Sequence, residues 1–590
     1  MNALRTSSPV GCAAPPQARQ PLRSTSAARH PGACGCGLPR RHGTARRVVL
    51  RRSQDDPKGD QLTKSIDAAG AGGSIVSPQV QLAIANLFKL LFGRLGIPLA
   101  NPTPEDMNSL LGGALFLPLY KWFRETGPVF LLPTGPVSSF LVVSDRETIK
   151  HVLRGSDNPA NDLYSKGLIT EVSQYLFGVG FAVAQGEEWR VRRKAVGPAL
   201  HRKYLEAMVG LTFAPAATLL ADKLVSEIRA GGGKPIDIEQ GFNQMTLDVI
   251  GKAVFNYEFD ALTTESPIIQ AVYTALKETE SRTTDLIPYW KSPLLCKIAP
   301  RQRKAAAAVE EIRVVTEGLI RKCKEMVDEE EMAQASNEEE YLNQGDPSIL
   351  RFLIAAREET TSTQLRDDLL SMLVAGHETT ASALTWTSYL LAKNPKALAK
   401  ATEEVDRVLG DRAEPTFDDY RELKYTLRCV CESMRLYPHP PVLIRRAVKD
   451  DPLPYGGGKY VARKGQDVIL SIYNLHRSPE VWDDPDAFIP ERFDPEGPIP
   501  NEQNTDFRYV PFSGGPRKCV GDQFALMEAT VALAVLLKRI HLEPVEGFDP
   551  GMTTGATIHT RNGMFLRLSE RAGRERAGGE QAATTAPVGA

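Results

Sequence analysis

Acidic residues are missing from the start of this chain. Residues 1–52 contain no Asp or Glu, and the first acid is Asp55. The same stretch is rich in Arg, Ser, Ala and Pro, with basic pairs at Arg40-Arg41 and Arg46-Arg47. It also lacks the apolar core of a secretory signal. That composition predicts an organelle transit peptide, and the serine, the proline and the want of an amphipathic helix lean towards a plastid. Cysteine is sparse. Eight in 590 residues, widely scattered, exclude a disulfide scaffold. Cys12, Cys34 and Cys36 lie in the leader. Cys429 and Cys431 are two apart in a helical segment, where their side chains diverge, so both are read as packing. A basic excess is missing too: 71 Lys plus Arg against 72 Asp plus Glu leaves a net charge of −1, which gives no reason to expect nucleic acid. No run of 18 uninterrupted apolar residues is present, so a spanning protein is not expected. Internal repeats are absent, and no glycine-rich flavin or nicotinamide fingerprint follows a strand.

What is present is a large apolar fraction, 42%, enough for a sizeable core. Residues 53–77 read as a linker of Asp, Gly, Ser and Ala. From Gln79 to Leu95 the apolar residues Ile84, Leu87, Phe88, Leu91 and Leu95 recur at helical spacing. This is either a helix lying on a membrane surface or one docked on the protein's own core. Residues 99–570 form one mostly helical region; 53–98 are linker plus helix, and 571–590 a tail too poor in apolar residues to pack. Strand-like runs include 140–143, 467–471 and 564–568. An acidic cluster within 327–347 predicts a solvated loop between helices.

The stretch with the sharpest chemistry is Phe512 to Gly521, Phe-Ser-Gly-Gly-Pro-Arg-Lys-Cys-Val-Gly. Gly514, Gly515 and Pro516 rule out regular structure. Asp522 to His541 then reads as an apolar helix, so Cys519 stands just ahead of a helix start. There the dipole and free N–H groups favour a thiolate, and Arg517 adds a cation. A lone free cysteine is most often a small buried hydrophobe. Here Phe512, Gly515, Arg517, Cys519 and Gly521 together resemble the haem-binding signature of the cytochrome P-450 superfamily, the haem-thiolate monooxygenases.

Three further constellations are similar to that family in the same order along the chain. A helix over 364–393 contains Ala375-Gly376-His377-Glu378-Thr379-Thr380. Gly376 in mid-helix costs about 1 kcal/mol relative to alanine, so it needs a reason; close approach of a flat ligand is one. Glu378 and Thr379 form an acid–alcohol pair beside the expected groove, suited to proton delivery. The resemblance implies that they serve oxygen activation. Glu432 and Arg435 share a helix face, and the resemblance adds Arg492 of Pro490-Glu-Arg-Phe493 to make a buried three-membered network. Trp189 and Arg193 share a helix face four residues apart. The resemblance makes them, with Arg445 and Arg517, ligands of the haem propionates, with Arg446 as an open alternative to Arg445.

The fold this implies is mainly α with small β-sheets, a helix-rich prism around a buried haem b whose iron takes Cys519 as axial ligand, Phe512 and Gly521 flanking it. With no flavin or nicotinamide fingerprint, electrons must come from a separate protein, and in a plastid a ferredoxin-type donor is expected. Leu115 to Trp122, Asp346 to Phe352, Asn474 to Ser478 and Met552 to His559 resemble the plastid carotene hydroxylases. Leu286 to Lys291, Ser433 to Pro440 and Gly521 to Glu528 look like the ε-ring type. The implied reaction is hydroxylation at C3 of an ε-ring by O2, giving lutein. An apolar carotene agrees with a peripheral membrane helix. Pocket walls are expected at Met372, Ala375, Pro441, Val442 and Leu443. The alternatives are a β-ring hydroxylase, a haem-thiolate isomerase or lyase, and a haem-binding sensor. The acid–threonine pair argues against the last two.

Overall fold

The computed structural model describes residues 96–571, apart from 111–112, 134–138, 158–161, 265–266, 285–287, 331–347, 356–360, 498 and 500–505, together with four positions between 80 and 87. The segments expected to be transit peptide, linker and tail lie outside the described residues. Of the helix expected at 79–95, only Val80, Ala83, Asn86 and Leu87 are described; all four are helical and exposed.

Five helices position the site: α1 (Gly186–Val196), α2 (Ile238–Phe255), α3 (Ser362–Lys393), α4 (Lys424–Leu436) and α5 (Asp522–Arg539). α5 is shorter than the 522–541 reading, because the chain turns into a strand at Ile540–Pro544. From Leu526 to Leu537 every residue of α5 is buried, since it is apolar all round and packs on every side. α3 starts where the Thr361 side chain caps Gln364 N–H at 3.1 Å and stops at Asn394, just before Pro395. It runs unbroken through Gly376. A Cβ built on Gly376 would lie 2.4 Å from Ile250 Cδ1 of α2. The close packing of α2 on α3 therefore also requires the glycine, a reason the sequence did not show. The acidic cluster also differs from its loop assignment. Its first residues, Asp328 to Glu330, end the helix Pro300–Glu330, and 331–347 are outside the described residues.

The main sheet has five strands, β1 (Val129–Pro133), β2 (Ser139–Val143), β3 (Tyr164–Ser165), β4 (Val442–Ala447) and β5 (Asp467–Ser471), in the order β1-β2-β5-β4-β3. β2 and β5 are parallel, with Leu141 beside Val468; the other pairs are antiparallel. Strand alternation gives the sheet two apolar faces. Leu141 and Val143 pack with Leu131 and Leu470 on one; Val142 packs with Phe130, Leu132 and Ile469 on the other. A small hairpin, β6 (Thr553–Thr554) and β7 (Ile558–His559), lies further along. A three-stranded sheet joins Ile236–Asp237, Phe565–Glu570 and Ile540–Pro544. Among the described residues, one stretch, Arg202–Gly231, is long and apolar enough to cross a membrane by length and composition, but 56% of its apolar window is buried in the core.

Candidate active site

The Cys519 loop is held by its own backbone. Cys519 N–H donates to Phe512 O at 3.0 Å, and Lys518 N–H to Gly515 O at 3.1 Å. Gly515 has φ +68°, and a Cβ there would sit 2.2 Å from Leu153 O, so only glycine fits. Cys519 sulfur faces a cavity of about 320 Å³ lined also by Trp189, Arg193, Met372, Ala375, Gly376, Thr379, Phe512, Arg517 and Gly521. Ala375 is exposed in the middle of an otherwise core helix because it faces this space. Burial pushes the Cys519 thiol up from its ordinary value. The Gly521 N–H, Arg193 and Lys518 pull the other way and do not prevail. The N–H groups at the helix start thus favour the thiolate without outweighing burial; a bound metal cation deprotonates a coordinating thiol outright.

Cations gather along the cavity. Arg517 donates to Asp157 Oδ2 at 2.7 Å and to Ala184 O at 2.5 Å, and its guanidinium stacks 4.1 Å above the Trp189 ring. Asp157 also accepts from Gly186 N–H at 3.0 Å, the start of α1. Arg193 is partly buried and has no carboxylate within ion-pair distance among the described residues. Lys166, which sequence reasoning missed, lines the same space, and burial followed by the nearby Arg445 and Arg517 holds its amine well below the usual lysine range. No local motif surrounds Lys166, so no sequence signal pointed to it.

Arg445 and Arg446 sit on opposite faces of β4. Arg446 is committed to Asp467 (3.0 and 2.7 Å) and to Glu171. Arg445 is 2% exposed and donates to Ser156 Oγ at 3.2 Å and Ile444 O at 2.8 Å. Burial and then Arg517 bring its guanidinium down to about 10. Arg445 does not itself line the cavity. Four basic side chains thus stand against one buried, already paired carboxylate, Asp157. Two propionates would offset most of that excess, and a flat macrocycle would fit a cavity lined by both Ala375 and Cys519. The residues fit a haem.

The network Glu432–Arg435–Arg492 is assembled and buried. Arg435 pairs bidentately with Glu432 (2.7 and 2.8 Å), both side chains 0% exposed. Arg435 also donates to the carbonyls of His476, Pro485 and Ala487 at 2.8, 2.6 and 2.8 Å. Arg492 reaches Glu432 Oε1 at 3.3 Å. His476 carries the network onward, since its Nε2 accepts from Val510 N–H at 2.9 Å and its ring stacks on Tyr509. Val510 lies two residues before Phe512, so the cluster and the cysteine loop are mechanically joined.

The expected acid–alcohol pair is split. Thr379 lines the cavity and donates to Ala375 O at 2.7 Å. Glu378 is turned by about 100°, the step of one helical residue, and does not line it. Its Oε1 accepts instead from His559 Nε2 at 2.5 Å and Thr557 Oγ1 at 3.2 Å. The expected pocket walls split too. Met372 and Ala375 line the cavity, whereas Pro441, Val442 and Leu443 do not. Val442 and Leu443 are spent on the two faces of the sheet, and His439 and Pro440 take that wall. Arg192 was also missed. It is buried beside Arg193 and holds Asp368 of α3 at 2.6 Å.

The family description "Cytochrome P450" matches residues 104–567 of the chain. A protein of Arabidopsis thaliana named carotene epsilon-monooxygenase, chloroplastic, is 60% identical over 476 residues, 81% of this chain and 86% of that protein. Another of the same plant, named protein LUTEIN DEFICIENT 5, chloroplastic, is 49% identical over 78% of this chain and 74% of its own length. A Glycine max relative, cytochrome P450 97B2, chloroplastic, is 45% identical over 81% of this chain and 87% of its own. With Cys519 facing a cavity rimmed by cations and a helix-rich fold around it, the chain belongs to the cytochrome P450 family.

Proposed function

We propose that this protein is a chloroplast monooxygenase that hydroxylates carotene rings, at C3 of the ε-ring, to give lutein. The observation that carries the chemistry is one cavity lined both by Cys519 and by Ala375, Gly376 and Thr379 of α3. When bound as haem b, the cofactor supplies O2 activation, and thiolate ligation favours O–O cleavage. Cys519 would hold the iron. Arg193, Lys166 and Arg517 would hold the propionates, with Arg445 behind them. Trp189 supports the Arg517 guanidinium by cation–π contact. Thr379 presents a hydroxyl to the cavity, and Met372 with Ala375 gives the substrate an apolar wall. The ε-ring preference rests on the 60% identity to the protein named carotene epsilon-monooxygenase.

Two partners follow. Electrons come from a separate protein, for which a plastid ferredoxin-type donor has the right compartment. The lipid-dissolved substrate calls for membrane contact, supported by exposed Leu294 (68%) and Ile298 (61%) and by half-exposed Val80 and Leu87 (both 50%). The test is to supply purified, reduced protein with α-carotene and β-carotene and to resolve the products. Lutein-type products from the ε-ring are expected. Exclusive β-ring products sink the ring assignment, and the absence of a thiolate-type carbon monoxide spectrum sinks the haem assignment.

A further inference from the structure

Glu378 ends a chain of polar groups that leads away from the cavity. His559 of β7 stands between two carboxylates: Nε2 meets Glu378 Oε1 at 2.5 Å, and Nδ1 lies 3.6 Å from Glu239 Oε1 of α2. Thr557 braces the inner pair, at 3.1 Å from His559 Nε2 and 3.0 Å from Ser382 Oγ. Thr560 holds Glu239 through its hydroxyl. The Glu378 side chain is 3% exposed, against 22% for His559 and 15% for Glu239. His559 and Glu239 are thus the more exposed members of the chain and Glu378 its buried end.

The charges support a held proton. Burial works against the His559 imidazolium, but Glu239 and Glu378 outweigh it and keep its pKa well above the ordinary value. Burial likewise pushes Glu378 up, and His559 more than reverses this. The other titratable groups facing the pair are His377 of α3, Tyr273 from the helix Pro267–Thr284, and His439 ahead of β4. Burial pushes the two histidines down, to about 4 and about 3, and the tyrosine up, so all three are neutral near pH 7. Glu378 Oε2 is buried with no partner.

We propose that His559 is the proton donor that recharges Glu378, and that Glu239 positions the ring, so that Glu239–His559–Glu378 is the entry route for protons used on the cavity side. This rests on the monooxygenase reading above. In the step, the Nε2–H bond of His559 breaks, its electron pair stays on the ring, and an O–H bond forms at Glu378 Oε1. Protonated Glu378 loses the charge that ties it to His559 and is released to turn its carboxyl towards the Thr379 side. The neutral ring, still protonated at Nδ1, regains its Nε2 proton from a hydronium ion of the solvent once that pair has opened, and that ion is left as water. One proton moves inward and nothing is oxidised or reduced. The transfer is uphill at rest, because the pair favours imidazolium and carboxylate; consumption of the proton at the cavity draws it forward. His559 acts through Glu378 and is a positioning and proton-supplying residue.

The test uses full-length holoenzyme. His559→Gln keeps an amide donor but cannot carry the charge. It should retain haem and the thiolate-type carbon monoxide spectrum, lose product per electron by roughly tenfold or more, release peroxide instead, and show a larger solvent deuterium isotope effect. Glu239→Gln should do the same more mildly. In labelled protein, the His559 ring resonance should stay at its imidazolium position through neutral pH, and Glu239→Gln should bring its titration downward. Wild-type coupling and isotope effect in both variants, or a His559 that titrates at an ordinary value in the wild type, overturns the proposal. Should the wild type oxidise no carotene, the functional reading fails separately, because the resonance measurement needs no substrate.

Discussion

Replacing Glu432 by glutamine removes one charge from a site with no access to water. Glu432 is the only carboxylate paired with both Arg435 and Arg492 among the described residues, and it also accepts Ile489 N–H at 2.9 Å. Glutamine has nearly the same shape and keeps an oxygen for that N–H, so packing is conserved. It cannot keep the bidentate pairing, since one oxygen becomes an NH2 facing a guanidinium. Two arginines, at 0% and 8% side-chain exposure, are left without a counter-charge. Breaking a buried pair from one side costs about 3–5 kcal/mol. Some is recovered because Arg435 keeps three carbonyl acceptors, which places the expected loss near the low end, about 3 kcal/mol, or more than a hundredfold in the folding equilibrium. The strain should be felt first where His476 joins the network to Val510. A urea titration of the holoprotein, following far-ultraviolet circular dichroism and the thiolate-type carbon monoxide spectrum together, should show the spectrum lost at lower urea than the helix signal. Arg435→Leu should be worse, because it also orphans three carbonyls. A Glu432→Gln protein with the wild-type midpoint on both signals refutes the claim that this charge network supports the cysteine loop.

Gly376→Ala should destabilise by about 1–3 kcal/mol from overpacking on Ile250, and Ile250→Ala in the same chain should restore part of it; calorimetry of the pair reads this directly. His476 is buried and its pKa falls to about 3, chiefly by desolvation and then by Arg435 and Arg477. Its folded value lies below the unfolded one, so the unfolded chain binds the extra proton and stability drops as pH falls from about 6.5 towards 3. His476→Gln keeps an acceptor for Val510 N–H and should flatten that slope in denaturation series at stepped pH. Lys166→Met removes a buried amine that lines the cavity and, among the described residues, has no carboxylate at ion-pair distance. It should stabilise the haem-free protein and speed haem loss to an acceptor such as apomyoglobin; unchanged haem loss would sink its role as a propionate ligand.

What the sequence made legible was chemistry carried by short spacing. The cysteine loop reads from ten residues because glycine at Gly515, a fixed turn and a thiol must coincide, and the structure gives a steric reason for that glycine. The pair Glu432 and Arg435 reads from helical spacing. What was not legible depends on parts of the chain far apart in number. Lys166, Asp157 and Arg445 come together only when β3, β4 and the start of α1 are in place, and none sits in a motif of its own. The parity of one strand fixes which of Arg445 and Arg446 faces Ser156 and which faces Asp467.

The division of α3 has the same origin. Adjacent residues in a helix point about 100° apart, and in this helix the cavity takes Ala375, Gly376 and Thr379 while Glu378 falls outside that arc. The Thr379 hydroxyl bond to Ala375 O leaves the helix continuous rather than opened. The threonine is therefore on the cavity side and the glutamate on the side of β7. A short motif read as a pair was in fact the meeting of two separate surfaces. Its second surface is written far away in the chain, in Thr557-Ile-His559 and Glu239. On the proposed route, those residues supply the proton that Glu378 passes towards Thr379, since the Glu378 side chain is only 3% exposed.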